Sequence, residues 1–197
     1  MNQSSRKLSI SGVTVALLGA MIFGGCSTQP VDDSGFWANL RVGALEKDPP
    51  ATLADLVDRA EVIFTGKVTS IELGPSSLPD NAGGPVIQTV ALEAKANSVM
   101  KGNLDGGKDV RIIMVPAVPV DVTLKGTPSG NQAIFFLVPT SPSGYYACVS
   151  LSGLIEETPS GLMTVVDPVQ SGIATSGQGT AHKSFNNLVK EVRELLK

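Results

Sequence analysis

Leu56-Val57-Asp58-Arg59-Ala60-Glu61-Val62-Ile63-Phe64-Thr65-Gly66-Lys67-Val68 is the stretch in which one hydrophobic period gives way to another. On its upstream side Leu53, Leu56, Val57 and Ala60 recur at helical spacing, and Thr52 with Asp55 three residues later has the form of a capping box. This predicts a short helix over about 52–60. From 61 to 73 the residues are rich in β-branched types, and Val62, Phe64, Gly66 and Val68 fall on one face by period two. A strand is therefore predicted directly after the helix. Gly66 has no side chain to pack inside that strand, so it predicts a bulge or sharp bend, as at the corner of a barrel.

Outward from this block the pattern is one of short strands and turns. Residues 74–85 hold three Pro and three Gly and read as a loop. Strands are predicted at about 86–99 and 109–115, with Gly102 to Lys108 as the turn between them. Val118, Val120, Val122 and Leu124 alternate, which suggests a further strand; Pro116 and Pro119 confine it to an edge. Residues 132–138 are the most hydrophobic run and the best central strand, and strands at 145–152 and 162–166 complete the set. Residues 171–181 are rich in Gly, Ser and Thr and read as a flexible connection. Ser184 can cap a final helix in which Phe185, Leu188, Val189, Val192, Leu195 and Leu196 form one apolar stripe. Packing against the β structure is the simplest use of that stripe, with a partner or a membrane surface as the alternative.

Upstream, Arg6 and Lys7 form a short positive region, Leu8 to Phe23 an apolar stretch diluted by Ser and Gly, and Phe23-Gly24-Gly25-Cys26 a small-residue cut site. That order is the layout of a secretory signal, and the apolar core is too short and too rich in Gly and Ser to be read first as a spanning helix. Phe23-Gly24-Gly25-Cys26 resembles the bacterial lipobox, although Phe23 departs from its aliphatic preference. The resemblance implies transfer of diacylglycerol to the Cys26 thiol, cleavage before Cys26 and often acylation of the new amine. Two or three chains in a bilayer anchor a protein stably. An ordinary secreted protein cut near Gly25 is the alternative. Ser27 is not Asp, so nothing here argues for retention at an inner membrane. The expected partner is thus the membrane, through the anchor at Cys26, on its extracytoplasmic face.

The resulting organisation is a signal peptide over 1–25, a lipidated Cys and tether over 26–51, a β-barrel domain over 52–170, a linker over 171–182 and a helix over 183–197. The precursor carries a net charge of −3, and Arg6 and Lys7 are the only charged side chains before Cys26, so removing these two positive charges leaves −5. A mildly acidic chain without a basic cluster is a poor ligand for nucleic acid.

The block around Leu56–Val68 resembles the entry of TIMP/netrin-like OB-fold domains of bacterial secreted proteins, which show a short helix and then Ala-Asp/Glu-x-Val/Ile-Phe-x-Gly-x-Val on a first strand. Val99-Met100-Lys101-Gly102 after the next long strand and the apolar run Ile134 to Val138 after a Gly-rich turn agree, so the likeness covers about residues 52–155. It implies a mainly β fold: an OB-like barrel, here with a short helix before it and an amphipathic helix after it. Animal TIMPs inhibit metalloproteases through a free N-terminal Cys amine and are braced by disulfides. Here Cys26 is expected to carry lipid and Cys148 is the only other cysteine, so that activity is not carried over.

Chemistry-bearing residues are sparse. Zinc sites need about four Cys or His ligands, whereas the mature chain offers Cys26, Cys148 and His182, so no metal or cofactor is expected. Cys148 reads as a buried inert thiol, since a catalytic Cys would need a His partner. Gly126-Thr127-Pro128-Ser129-Gly130 lacks the spacing of a nucleophile elbow and reads as a hairpin loop. Glu156 and Glu157 are adjacent, hence on opposite faces of a strand, and do not form an acid/base pair. The expectation is a non-enzymatic binding or assembly module of the cell envelope with a possible protein partner there, its candidate binding loops being 74–85 and 116–131. The alternative is an envelope hydrolase that gathers His182, a Ser and an acid in one pocket.

Overall fold

A computed structural model describes residue 40 and residues 49–76, 86–116, 118–158, 161–164 and 184–197. The predicted signal peptide, Cys26, the linker over 171–182 and His182 lie outside these residues. The described chain is mainly β with a few short helices, in the order α1 (Leu53–Arg59), β1 (Val62–Leu73), β2 (Val90–Lys101), β3 (Asp109–Met114), α2 (Val120–Thr123), β4 (Ala133–Pro139), β5 (Tyr145–Cys148), β6 (Leu154–Thr158), β7 (Gly161–Thr164) and α3 (Phe185–Leu195).

α1 begins as its sequence predicts. The Thr52 hydroxyl accepts from the Asp55 amide at 3.1 Å, and the Asp55 carboxylate accepts from the Thr52 amide at 3.1 Å. The helix stops at Ala60, and β1 follows within two residues. β1 then serves two neighbours at once. Its first half, Val62 to Gly66, pairs with β4, while its length from Ile63 to Leu73 pairs with β2. The register slips between Thr65 and Gly66, where the bend was expected. The cause is a close approach: a Cβ on Gly66 would lie 2.4 Å from the Lys95 carbonyl oxygen, so no larger residue fits without moving β2.

The strands form one sheet in the order β1-β2-β3-β5-β4-β6-β7, and β1 also pairs with β4. Five strands, β1, β2, β3, β5 and β4, thereby make a ring. Its pairings are antiparallel except that β3 runs parallel to β5 through Arg111–Tyr145, Ile112–Tyr146 and Ile113–Ala147. β6 pairs with β4 through Leu154 to Glu156 and carries β7 beyond it.

Alternation along the ring strands divides the apolar residues into two clusters. Val62, Phe64 and Val68 of β1 point inward with Leu92, Ile112, Phe135 and Leu137, and Phe64 stacks on Phe135 with centroids 4.5 Å apart. Leu40 is buried in the same cluster. Ile63, Ile134, Phe136 and Ile155 point the other way and are covered by Leu56 of α1 and Leu188 and Val192 of α3. The continuous apolar run of β4 follows from this: one face fills the ring and the other lies under helices. The α3 stripe is thus core packing, with Phe185, Leu188 and Val192 buried and Leu195 exposed.

Four expectations need correction. Val118 to Leu124 is not an edge strand; Val120–Thr123 is a single helical turn, because the Pro119 carbonyl accepts from the amides of Val122 and Thr123. Alternation at i, i+2 and i+4 contains the helical i, i+4 pair, and Val120 and Leu124 both pack against the ring interior. Gly126 to Gly130 joins α2 to β4 and is not the loop of a hairpin. The strand predicted over 145–152 ends at Cys148. Ser150 turns the chain, its carbonyl accepting from Gly153 at 2.9 Å, and a separate strand, β6, begins at Leu154. The second long strand also runs later than predicted, from Val90 to Lys101.

Candidate functional site

The register places one polar row across the outer side of the ring. Ser70 of β1 lies opposite Glu93 of β2, Glu93 opposite Arg111 of β3, and Arg111 opposite Tyr145 of β5. Their neighbours in sequence, Leu92, Ile112 and Tyr146, fill the ring, so alternation alone turns this row outward. The Arg111 guanidinium lies over the Tyr145 ring, 5.2 Å from its centroid, and Nη1 donates to the Tyr145 hydroxyl at 3.4 Å. The Glu93 carboxylate stands 3.9 Å from Arg111 Nε. The Tyr145 hydroxyl, with smaller help from Glu93 and Glu72, raises the pKa of Arg111, so the row sets a charged guanidinium between a carboxylate and an aromatic face.

A cleft of about 270 Å³ opens next to this row, lined by Glu93, Asp105, Asp109, Arg111, Gly144 and Tyr146 among others. The Tyr146 hydroxyl accepts from the Asp105 amide at 3.2 Å and ties the turn before β3 to the ring. Further along β3 a second cleft, of about 320 Å³, is lined by residues that include Thr89, Met114, Val115, Pro142 and Ala147, none of them charged. The first cleft can hold a polar group against charge on both sides; the described residues of the second offer hydroxyls and aliphatic carbon.

The structure also joins two residues that sequence reasoning kept apart. The Ser129 hydroxyl donates to the Glu156 carboxylate and accepts from the Asn131 amide. Glu156 is 1% exposed, on the side of β6 that also carries Leu154 of the ring interior, while Glu157 faces solvent. The spacing of 27 residues between Ser129 and Glu156 carries no local signal; only the pairing of Ala133 with Glu156 brings the two together. The loop over 116–131 is thus fastened at Ser129 and by Thr123, which is buried in α2. Of the other candidate loop, Pro75 and Ser76 line the second cleft.

Cys148 packs against the ring interior, and burial pushes its thiol up to about 12, so it stays protonated and a poor nucleophile at neutral pH. The Met100-Lys101-Gly102 stretch has a structural use. Lys101 Nζ donates to the carbonyls of Val57 at 2.8 Å and Asp58 at 3.3 Å, capping the end of α1. Gly102 adopts φ +70°, and a Cβ there would lie 2.2 Å from the Glu61 carbonyl oxygen. Among the described residues no group of three or more His, Cys, Asp or Glu could hold a metal ion, and no helix is long and apolar enough to cross a membrane. No known family model matches the chain, and no curated protein matches it in sequence.

Proposed function

We propose that this protein is a lipid-anchored component of the cell envelope, held at the extracytoplasmic face of the membrane through Cys26, and that it acts as a non-enzymatic binding or assembly module. In this reading the ring of strands is an OB-like, TIMP/netrin-like barrel. The order β1-β2-β3-β5-β4, with β1 returning to β4, supports that reading, as does the bend at Gly66. The signal layout and Cys26 support the anchor.

The observation that carries the binding function is the outward row Ser70, Glu93, Arg111 and Tyr145 beside a cleft. OB barrels bind ligands on an exposed sheet face and its flanking loops, and Arg and Tyr are the residue types that dominate binding energy at such faces. A photo-crosslinker placed at Ser70 in native membranes tests it. The expected result is a discrete adduct that disappears in Arg111→Glu and persists when the crosslinker-bearing protein carries Lys190→Glu. Adducts that are the same with and without Arg111 would overturn it.

One contact favours the hydrolase reading: the Ser129 hydroxyl donating to a buried carboxylate. A serine-directed fluorophosphonate probe decides between the two. Labelling that Ser129→Ala abolishes would favour hydrolysis, and the binding reading expects no label.

A further inference from the structure

The turn between β2 and β3 brings a carboxylate and a bare amide together. Asp105 is followed by Gly106 and Gly107, and no other Asp or Asn of the chain precedes a glycine. Asp105 to Lys108 form the turn, and all are exposed. Hydrogen bonds hold its flanks: the Asp105 amide donates to the Tyr146 hydroxyl at 3.2 Å, and the Gly107 amide to the Leu104 carbonyl at 3.4 Å. Between them, the Asp105 carboxylate and the Gly106 amide make no hydrogen bond or ion pair with any described residue. Gly106 has no side chain to shield its nitrogen or to limit rotation of the backbone. The other described Asp residues lack this combination. Leu56, Arg59, Val110 and Val122 follow Asp55, Asp58, Asp109 and Asp121, and Asp55 is engaged in the capping box of α1.

We propose that Asp105–Gly106 is a site of spontaneous isoaspartyl formation in the folded protein. The Gly106 nitrogen bonds to Cγ of the protonated Asp105 side chain, and the carboxyl hydroxyl leaves with the amide proton as water. The product is a cyclic succinimide. Water then opens the ring. Attack at the Cγ carbonyl restores aspartate, whereas attack at the Asp105 main-chain carbonyl leaves the peptide bond running through Cγ. The water lost in the first step is regained in the second, so the conversion needs no co-reactant and leaves the mass unchanged. The main chain gains one methylene, and the former main-chain carboxyl of Asp105 becomes a free carboxylate on Cα. Pairing of Lys95 with Asp109 fixes where β3 begins, so the added length is taken up within the turn. Asp105 and Gly106 both line the cleft of about 270 Å³, so the conversion reshapes its rim.

The test ages the full chain in neutral buffer, with circular dichroism to establish that it stays folded. Samples are treated with protein isoaspartate methyltransferase and a labelled methyl donor. Trypsin, cutting after Lys101 and Lys108, releases residues 102–108 as one peptide. The expected result is label that rises with age in this peptide, which separates into two forms of equal mass. Asp105→Glu loses the label, because its longer side chain would have to close a six-membered ring. Label that appears only when the chain is aged in urea would mean that the fold protects the turn, and would overturn the inference. So would label spread evenly over the Asp-bearing peptides, or none in residues 102–108.

Discussion

The ring interior and the helix-covered face are built from alternate residues of the same strands, yet they are closed in different ways. Phe64 and Phe135 are enclosed by strands that pair with one another all the way round. Ile134 and Phe136, one residue away on β4, are enclosed only because α1 and α3, from opposite ends of the described chain, come to lie over them. The first cluster is walled by the paired strands, with Leu40, Val120 and Leu124 packed into it, whereas the second is closed only while two short helices stay docked. Short helices gain little from their own hydrogen bonds and depend on such packing. The helix-covered face should therefore be the softer of the two regions.

The largest expected effect is at Phe135. Phe135→Ala removes the stack on Phe64 and leaves a cavity that the closed ring cannot collapse into, costing about 3–5 kcal/mol in chemical denaturation. Leu188→Ala empties a comparable site, but α3 can shift toward the sheet, so about 2–3 kcal/mol is expected. Amide exchange should speed up in α3 and α1 and leave β4 protected. A larger loss for Leu188→Ala than for Phe135→Ala would reverse the comparison.

Cys148 sharpens it further. Its folded thiol titrates near 12 against an ordinary value of 9.0, so the folded state holds the proton that the unfolded state releases. The stabilisation is complete below about pH 9 and is lost as pH rises toward 12. By pH 10 the loss should reach about 1 kcal/mol, and Cys148→Ala should remove that slope. An identical slope in the two proteins would show that the thiol is not desolvated against the ring. Thr52→Ala, which removes the capping box of α1, is expected to cost about 1 kcal/mol or slightly less, read as increased amide exchange confined to α1. Uniform loosening of the ring would contradict the independence of the two regions.

Much of this architecture is written locally in the chain. The capping box at Thr52, the inward set Val62, Phe64 and Val68, the bend at Gly66 and the stripe on α3 each follow from spacing within a few residues. Legibility fails where one pattern serves two geometries. Val118 to Leu124 satisfies strand alternation and one helical turn equally, and only the Pro119 carbonyl decides between them. The turn at Ser150 was hidden because Tyr145 to Leu151 is apolar enough for a single strand. The candidate surfaces were less legible still. Glu93, Arg111 and Tyr145 are far apart in sequence and become neighbours only through register, and Ser129 meets Glu156 only because β6 pairs with β4. Neither grouping leaves a spacing signature to be found.

Placement at the membrane depends on what happens at Cys26. The direct measurement is the intact mass and membrane partition of the mature chain, compared with Cys26→Ala. The expected outcome is a wild-type chain that begins at Cys26, carries the added mass of acyl groups and stays with membranes, and a variant that lacks the added mass and is not processed at that position. An unmodified wild-type N-terminus, or a variant with the same mass increment and the same membrane fraction, would contradict it.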